Sequence, residues 1–272
     1  MTNTDKTDQA STAAAVAVDR KMDVLRDQAR RLRLSHMASK LPDLLHNAAI
    51  ESPSYLDFAI SLLDTECKGR AATDLNRRLT QARLPRTNNL DNFDFGHSAG
   101  ISRSQLKQMR ELVWVDQKYN LVLMGPSGTG KTYIAAGLVR DAVIQGMRAK
   151  IFTMEDLVGV LRRKDLSSIG MRSYESILRC DLLAIDDIML MPMKKEEAVA
   201  FFNLINSLHE KTSIIITTNK APTEWVSVLN DEVLTAALLD RLLYRADVVK
   251  LSGGSYRMDN RSSFLKKDND SK

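Results

Sequence analysis

Residues 121–132 read LVLMGPSGTGKT, and YIAAGLVRDAV follows at 133–143. An apolar run, a glycine-rich loop and a helix-forming run therefore succeed one another. They place Gly125, Gly130, Lys131 and Thr132 at the spacing of a nucleotide phosphate loop. The chemistry needs those residue types. Glycines let successive backbone N–H groups turn inward around an anion, here along the loop Gly125, Pro126, Ser127, Gly128, Thr129 and Gly130, in which every residue but Pro126 carries an N–H. The helix that follows presents its positive dipole end to the same anion. Lys131 has the reach for β and γ phosphates, and the Thr132 hydroxyl is a ligand for Mg²⁺. The expected cofactors are ATP and Mg²⁺. A chance glycine turn is the alternative, and the flanking strand and helix argue against it.

The chain has 272 residues, 44% of them apolar, enough for one domain or one domain plus a small accessory. No stretch approaches the roughly 18 apolar residues of a membrane span. The short apolar run Ala13–Val18 has no basic start and reads as a tail rather than a signal peptide. Cys67 and Cys180 lie far apart with no partnering His/Cys spacing, which points to a reducing cytoplasm and no zinc site. The net charge of +5 is concentrated. Lys68, Arg70, Arg77, Arg78, Arg83 and Arg86 stand against the single anion Asp74, so residues 68–86 carry as much charge as the whole chain. Such a segment is either a phosphate-backbone contact or a solvated helix face.

Around the loop, strand-like and helix-like runs alternate. Helices are expected at Gln105–Trp114, Thr132–Ile144 (ended by Gly146), Met154–Arg163, Glu196–His209 and Thr235–Tyr244. Strands are expected at Leu121–Met124, Ala149–Phe152, Leu182–Ile185, Ser213–Ile216 and Val248–Leu251. This is the pattern of an α/β fold, a parallel sheet sandwiched by helices. In Glu196–His209, Val199, Phe202, Leu204 and Leu208 are expected to turn inward. Upstream, Met22–Gln81 has helical periodicity, with Ser52-Pro53 as a helix entry. The expected organisation is a disordered tail at 1–20, a small all-helical domain with the basic segment at 21–86, a linker at 87–104, the α/β domain at 105–258, and a loose tail at 259–272.

Three further signals follow the loop in order. DLLAIDD (181–187) is a buried strand delivering two carboxylates at its C-terminal edge, where ligands bind in open α/β sheets. Asp186 is placed to hold the Mg²⁺ shell and Asp187 to polarise an attacking water; a helix cap followed by a turn is the other reading. IIITTN (214–219) ends a second strand in polar groups, with Thr218 and Asn219 expected beside the γ-phosphate. ALLDRL (237–242) sets an Asp-Arg pair in an apolar helix, so that Arg241 is either a structural cation or an arginine finger reaching a neighbouring subunit's nucleotide. Arg162, Arg163 and Lys164 end a helix of the same region, where they either line a DNA path or complement the helix dipole.

GPSGTGKT, LLAIDD, IIITTN, ALLDRL and GGSYR (253–257), in that order, resemble the AAA+ ATPases of the IstB-like and DnaC-like branch over roughly residues 30–258. LRLSHMASKLPDLL (32–45), YLDFAISLLDTE with the basic run after it, and LDNFDF resemble the N-terminal region of IstB-type insertion-sequence helper ATPases. The resemblance implies an AAA+ P-loop core behind a helical N-terminal domain. It makes Asn219 the first sensor, Arg241 a finger acting in trans and Arg257 a second sensor in cis, with Phe93 and Phe95 near the adenine. It also implies a homo-oligomer on double-stranded DNA and a transposase of the same element as partner. Three features depart from the usual patterns: Asp187 where the AAA+ class usually carries Glu, although this branch often has Asp; Met189 soon after the acidic pair, where the family tends to have Gly; and Leu208-His209 near the place where it commonly shows an Arg-Tyr step. Two other function classes compete. A helicase loader would prefer single strands and carry a more apolar interface. A small-molecule phosphotransferase would need a lid and acceptor pocket that this sequence does not suggest.

Overall fold

The computed structural model describes residues 19–96, 100–188, 193–229 and 231–256. The two expected tails (apart from residues 19 and 20), Met189 and Arg257 lie outside the described residues. The chain divides into two compact units after Arg77.

The first unit is helical: α1 (19–31), α2 (Ser35–Glu51) and α3 (Tyr55–Gln81), the last continuing past the division. Its small core joins Ala29, Met37 and Ala38, with Leu34 and Leu62 packed against them. Glu66 is buried there, its carboxylate accepting from Met37 N at 2.9 Å and from Arg70 Nε at 2.7 Å. Burial pushes its pKa up, but those donors outweigh burial and hold it below the ordinary value. The expected entry at Ser52-Pro53 shifts by two residues. Ser52 closes α2 in the left-handed region, and the Ser54 hydroxyl accepts from Asp57 N to open α3.

The second unit opens with the 3-10 turn Leu90–Asn92 and the helices α4 (Arg103–Arg110) and α5 (Val113–Asp116). The continuous helix expected over Gln105–Trp114 is broken. Leu112 takes φ 60° and buries its side chain completely, which ends one helix and starts the next. Then follow β1 (Asn120–Met124), α6 (Lys131–Ile144), β2 (Ala149–Thr153), α7 (Met154–Arg163), α8 (Ser168–Leu178), β3 (Leu182–Asp186), α9 (Lys195–Leu208), β4 (Ser213–Thr218), α10 (Val226–Leu229), α11 (Glu232–Leu243) and β5 (Ala246–Lys250). The five strands form one sheet in the order β2-β3-β4-β1-β5, every pair parallel.

The strands at the sheet centre are buried on both faces, as parallel strands under crossover helices must be. Leu183, Ile185, Ile214 and Ile216 join the core formed with α7, α9 and α11, and their neighbours Leu182, Ala184 and Ile215 are equally buried. Gly146, at φ 96°, ends α6. Its N–H bonds Val143 O, and Met147 N bonds Ala142 O, the paired closure that a glycine permits. One expectation shifts. In α9 the inward stripe is Ala198, Phe201, Leu204, Ile205 and Leu208, and Val199 is 42% exposed. The apolar run AVAFF allows two helical phases, and packing on α7 and α11 selects the one that buries Phe201. Helix α8 is not among the expected helices, although Tyr174 and Ile177, three residues apart, turn to the core.

Candidate nucleotide-binding site

Parallel strands deliver their C-terminal ends to one edge, and the chemistry-bearing residues collect there. Thr218 pairs with Met124, the last residue before the loop, and Gly125 N donates to Thr218 O. The loop then runs through Gly125, Gly128 and Gly130 at φ 156°, 86° and 92°. A Cβ on Gly125 would stand 2.1 Å from Leu251 O, and one on Gly128 would stand 2.2 Å from Ser255 Oγ. Only glycine fits between the loop and the chain leaving β5. Tyr256 N donates to Gly128 O at 3.2 Å, so the segment just before Arg257 lies on the loop. Pro126 O accepts from Thr129 Oγ1 at 2.9 Å, while Pro126 and Ser127 form the exposed crest of the loop. Lys131 is buried at the first position of α6, its Nζ 2.7 Å from both Gly125 O and Pro126 O. Its ammonium is thus held inside the loop that its helix opens.

The second half of the site is a cluster of oxygens. Thr132 Oγ1 donates to Asp186 Oδ1 at 2.9 Å. The Thr217 hydroxyl donates to the same oxygen and accepts from Asp187 N at 2.9 Å. Burial pushes the Asp186 carboxyl above its ordinary value, against the pull of the Thr217 and Thr132 hydroxyls; Asp187 pushes it up further and Lys131 pulls it down. Asp187 turns out of the strand at φ 54° with its side chain exposed, and the Thr217 bond fixes that turn. Asn219 stands exposed just past the end of β4.

Thr217 was missed by sequence reasoning, which looked to Thr218 beside Asn219. The Thr218 hydroxyl instead bonds Lys220 N and O, tying the loop after the strand. Side chains alternate along a strand, so Thr217 and Asn219 share a face and Thr218 takes the other. That alternation was the available signal.

Beside the loop, Phe93 and Phe95 meet edge to face at 4.9 Å, and Phe93 lies 6.0 Å from the Tyr133 ring. The Tyr133 hydroxyl donates to Asn89 O, and the Arg103 guanidinium lies 4.5 Å over Phe95. The pair expected near an adenine is therefore part of an aromatic group that begins one residue after Thr132.

Arg241 lies at the opposite edge of the sheet, near the end of α11, where β5 begins against Asn120 at the start of β1. Its Nε donates to Asn206 Oδ1 at 2.8 Å, and its guanidinium lies 4.8 Å over Phe202. With Lys118, His209 and Tyr244 it lines a shallow notch. The fold does not bring Arg241 to its own chain's phosphate loop.

The basic positions are distributed. In the first unit, Lys68 pairs with Asp64, Arg70 with Glu66, and Arg77 with Asp74. In the second, Arg78 Nη1 donates to Val143 O at 2.9 Å, Arg83 lies over Phe152, and Arg86 is exposed. Arg162 is bound to Glu197, Arg163 is exposed, and Lys164 lies over Tyr174.

A family model described as IstB-like ATP binding protein matches residues 27–264. The chain belongs to this IstB-like family. It is 45% identical over 243 residues to an ATP-binding protein of an IS21-like insertion sequence from Bacteroides fragilis, covering 89% of this chain and 92% of the relative. It is 35% identical over 228 residues to the IS21 ATP-binding protein of Pseudomonas aeruginosa, covering 84% and 86%. The crystal structure of DnaI matches with a TM-score of 0.53 at 19% identity, over 62% of this chain and 95% of that one. AMPPCP-bound DnaA from Aquifex aeolicus matches with a TM-score of 0.50 at 22% identity, over 62% and 51%. These two likenesses establish the AAA+ P-loop fold that the IstB-like motifs imply. Among the described residues, no helix is long and apolar enough to cross a membrane.

Proposed function

We propose that this protein is the ATP-dependent helper of an insertion-sequence transposition system. It oligomerises with ATP on duplex DNA in the cytoplasm and delivers that DNA to the element's transposase. The observation that carries the proposal is the site at the C-terminal sheet edge, where a glycine cradle with no room for a Cβ adjoins the oxygens of Thr132 and Asp186. Membership of a family of insertion-sequence ATP-binding proteins supports the rest.

The residues fit the groups invoked. Gly125 to Thr132 would hold the phosphates through backbone N–H groups and Lys131. Thr132 and Asp186 are hard oxygen donors of the kind Mg²⁺ takes, and the ion would supply charge neutralisation at the phosphates. Asp187, anchored through its N–H by Thr217, would orient and polarise the attacking water, with Asn219 beside it. Phe95 and Phe93 would receive the adenine, and Arg257 would act on the same chain's nucleotide. Arg241, at the far edge of the sheet, would act on the nucleotide of a neighbouring copy, which makes hydrolysis depend on assembly. The basic positions Lys68, Arg70, Arg77, Arg78, Arg83 and Arg86 supply the charge for a DNA backbone; Arg86 is exposed, and the Lys68 and Arg77 side chains are 81% and 68% exposed. The basic segment is shared between the two units, with Lys68, Arg70 and Arg77 in the helical one and Arg78, Arg83 and Arg86 in the one that carries the ATPase site.

The test is binding to duplex and single-stranded DNA of equal length, with ATP, ADP or no nucleotide, at two salt concentrations. Cooperative, ATP-dependent duplex binding is the expected result. A single-strand preference would overturn the proposal in favour of a helicase loader.

A further inference from the structure

The segment expected to be a linker is fastened, over residues 89–91, to one face of α6. Tyr133, Gly137 and Asp141 stand four residues apart along that helix, so they line up on the same side of it. At the first, the Tyr133 hydroxyl donates to Asn89 O. At the second, the buried Leu90 side chain lies so close that a Cβ on Gly137 would stand 2.3 Å from Leu90 Cγ. At the third, Arg110 Nε donates to the Asp141 carboxylate at 2.7 Å, and its Nη1 donates to Asp91 at 2.7 Å. Arg110 thereby ties the segment to the helix. The turn Leu90–Asn92 is also closed within itself, with Asn89 Oδ1 accepting from Asp91 N at 3.2 Å. Phe93 comes next in the chain, edge to face with Phe95.

The helix that holds this segment is the one that opens at the phosphate loop with Lys131 and Thr132. An α-helix has a fixed rise of about 1.5 Å per residue, so the segment sits at a set distance from the loop. A nucleotide likewise keeps its base within a fixed reach of its phosphates. Aromatic rings hold a base through particular face and edge geometries, so their placing decides whether the base is read. The two carboxylates on Arg110 suit its planar fork, which a lysine cannot copy. Gly137 supplies the close approach that brings Leu90 onto the helix.

We propose that the face of α6 formed by Tyr133, Gly137 and Asp141 seats residues 89–95 for recognition of the nucleotide base, with Arg110 as a positioning residue. This rests on the reading that Phe93 and Phe95 receive the adenine, and it adds the device that sets their distance from the phosphates.

The experiment uses the full chain with Mg²⁺ and calorimetric titration of two probes. One is ATP. The other is methyl triphosphate, which keeps the phosphates and their charge without the nucleoside. The wild-type protein is expected to bind ATP the more tightly. Arg110→Gln, which loses both ion pairs, is expected to bind ATP about tenfold more weakly, the order of one lost base–aromatic stack, and to bind methyl triphosphate as the wild type does. Its hydrolysis should show a raised KM with kcat little changed. Arg110→Lys should restore only part of the ATP affinity. Gly137→Ala drives Leu90 off the helix and is expected to give the same pattern, although alanine is the better helix former. Adding Leu90→Ala to it makes room for the methyl group and is expected to recover part of the loss. Equal ATP affinity in the wild type, Arg110→Gln and Gly137→Ala would overturn the seat and leave the aromatic base contact standing. Parallel weakening of both probes would also overturn it, making this face a support for the phosphate loop. A wild-type protein that binds ATP no more tightly than methyl triphosphate would instead overturn the adenine reading of Phe93 and Phe95.

Discussion

Replacing Thr217 by Val keeps the side-chain shape and removes one hydroxyl with two duties. That hydroxyl donates to the buried Asp186 carboxylate and accepts from Asp187 N. A hydrogen bond to a charged group is worth about 1.5–3 kcal/mol net, and the neutral one about 1 kcal/mol. The methyl that takes its place at this fully buried position returns about 0.8 kcal/mol. The expected loss is about 2–3 kcal/mol, and at about 2–4 °C per kcal/mol for a unit of this size the melting temperature should fall by roughly 5–10 °C. Function should suffer in a specific way. The Thr217 hydroxyl bonds Asp186 and Asp187 rather than the phosphate loop, so nucleotide affinity should change less than about threefold, under roughly 0.7 kcal/mol. Asp187 loses the bond that fixes its left-handed turn, so hydrolysis should fall about 10- to 100-fold, equivalent to about 1.4–2.7 kcal/mol. The acid limb of the rate profile should also move to higher pH, because one of the two hydroxyls pulling the Asp186 pKa down is gone. Fluorescent-nucleotide titration, steady-state hydrolysis and a thermal melt provide the three readings, and Thr217→Ser should restore all of them. Parental hydrolysis in a Val variant that melts within about 1 °C of the wild type would refute the assigned linkage.

Lys131→Ala should abolish ATP-dependent assembly in sedimentation; unchanged oligomers in ATP would remove the role given to the loop. Arg241→Ala should bind nucleotide normally and lose hydrolysis, and mixing it with Lys131→Ala should return part of the activity, because each supplies what the other lacks across an interface. Absence of any recovery would count against action in trans. Arg77→Gln and Arg86→Gln should each flatten the log–log salt dependence of duplex binding by up to ~0.9, one phosphate contact apiece. Asp181 is held below its ordinary value of 3.8 mainly by the Arg148 guanidinium, which binds it at 2.7 Å. A lowered carboxylate stabilises the fold above the unfolded value and loses that contribution as pH falls through the folded one. Melting scans should therefore show Asp181→Asn less stable than wild type near neutrality, with the gap closing below about pH 4.

Much of the site was legible in the chain because its parts are local. Gly125 to Thr132 must be consecutive to ring an anion, so their spacing announces them. Asp186 and Asp187 end an apolar run, and a buried strand can only deliver such groups at its edge. The parallel sheet itself followed from alternating strand-like and helix-like runs, since parallel neighbours need crossovers. The order of five short motifs pointed to the IstB-like and DnaC-like branch, and the N-terminal stretches at 32–45 and after it favoured the IstB-like family.

What the sequence could not settle were choices between adjacent residues and meetings between distant ones. Thr217 rather than Thr218 reaches Asp186 because the register of β4 against β3 sets which face each side chain takes. Phe201 rather than Val199 is buried because α7 and α11 lie on one side of α9. Leu112 breaks a helix that its local pattern favours, since burying one leucine outweighs continuing a turn. Arg78 binds a carbonyl 65 residues away, and Arg241 is carried to the edge opposite the phosphate loop by the path of α11 into β5. Local chemistry is written in spacing along the chain. The direction each side chain faces is decided by packing, whose free energy is shared among residues far apart in sequence.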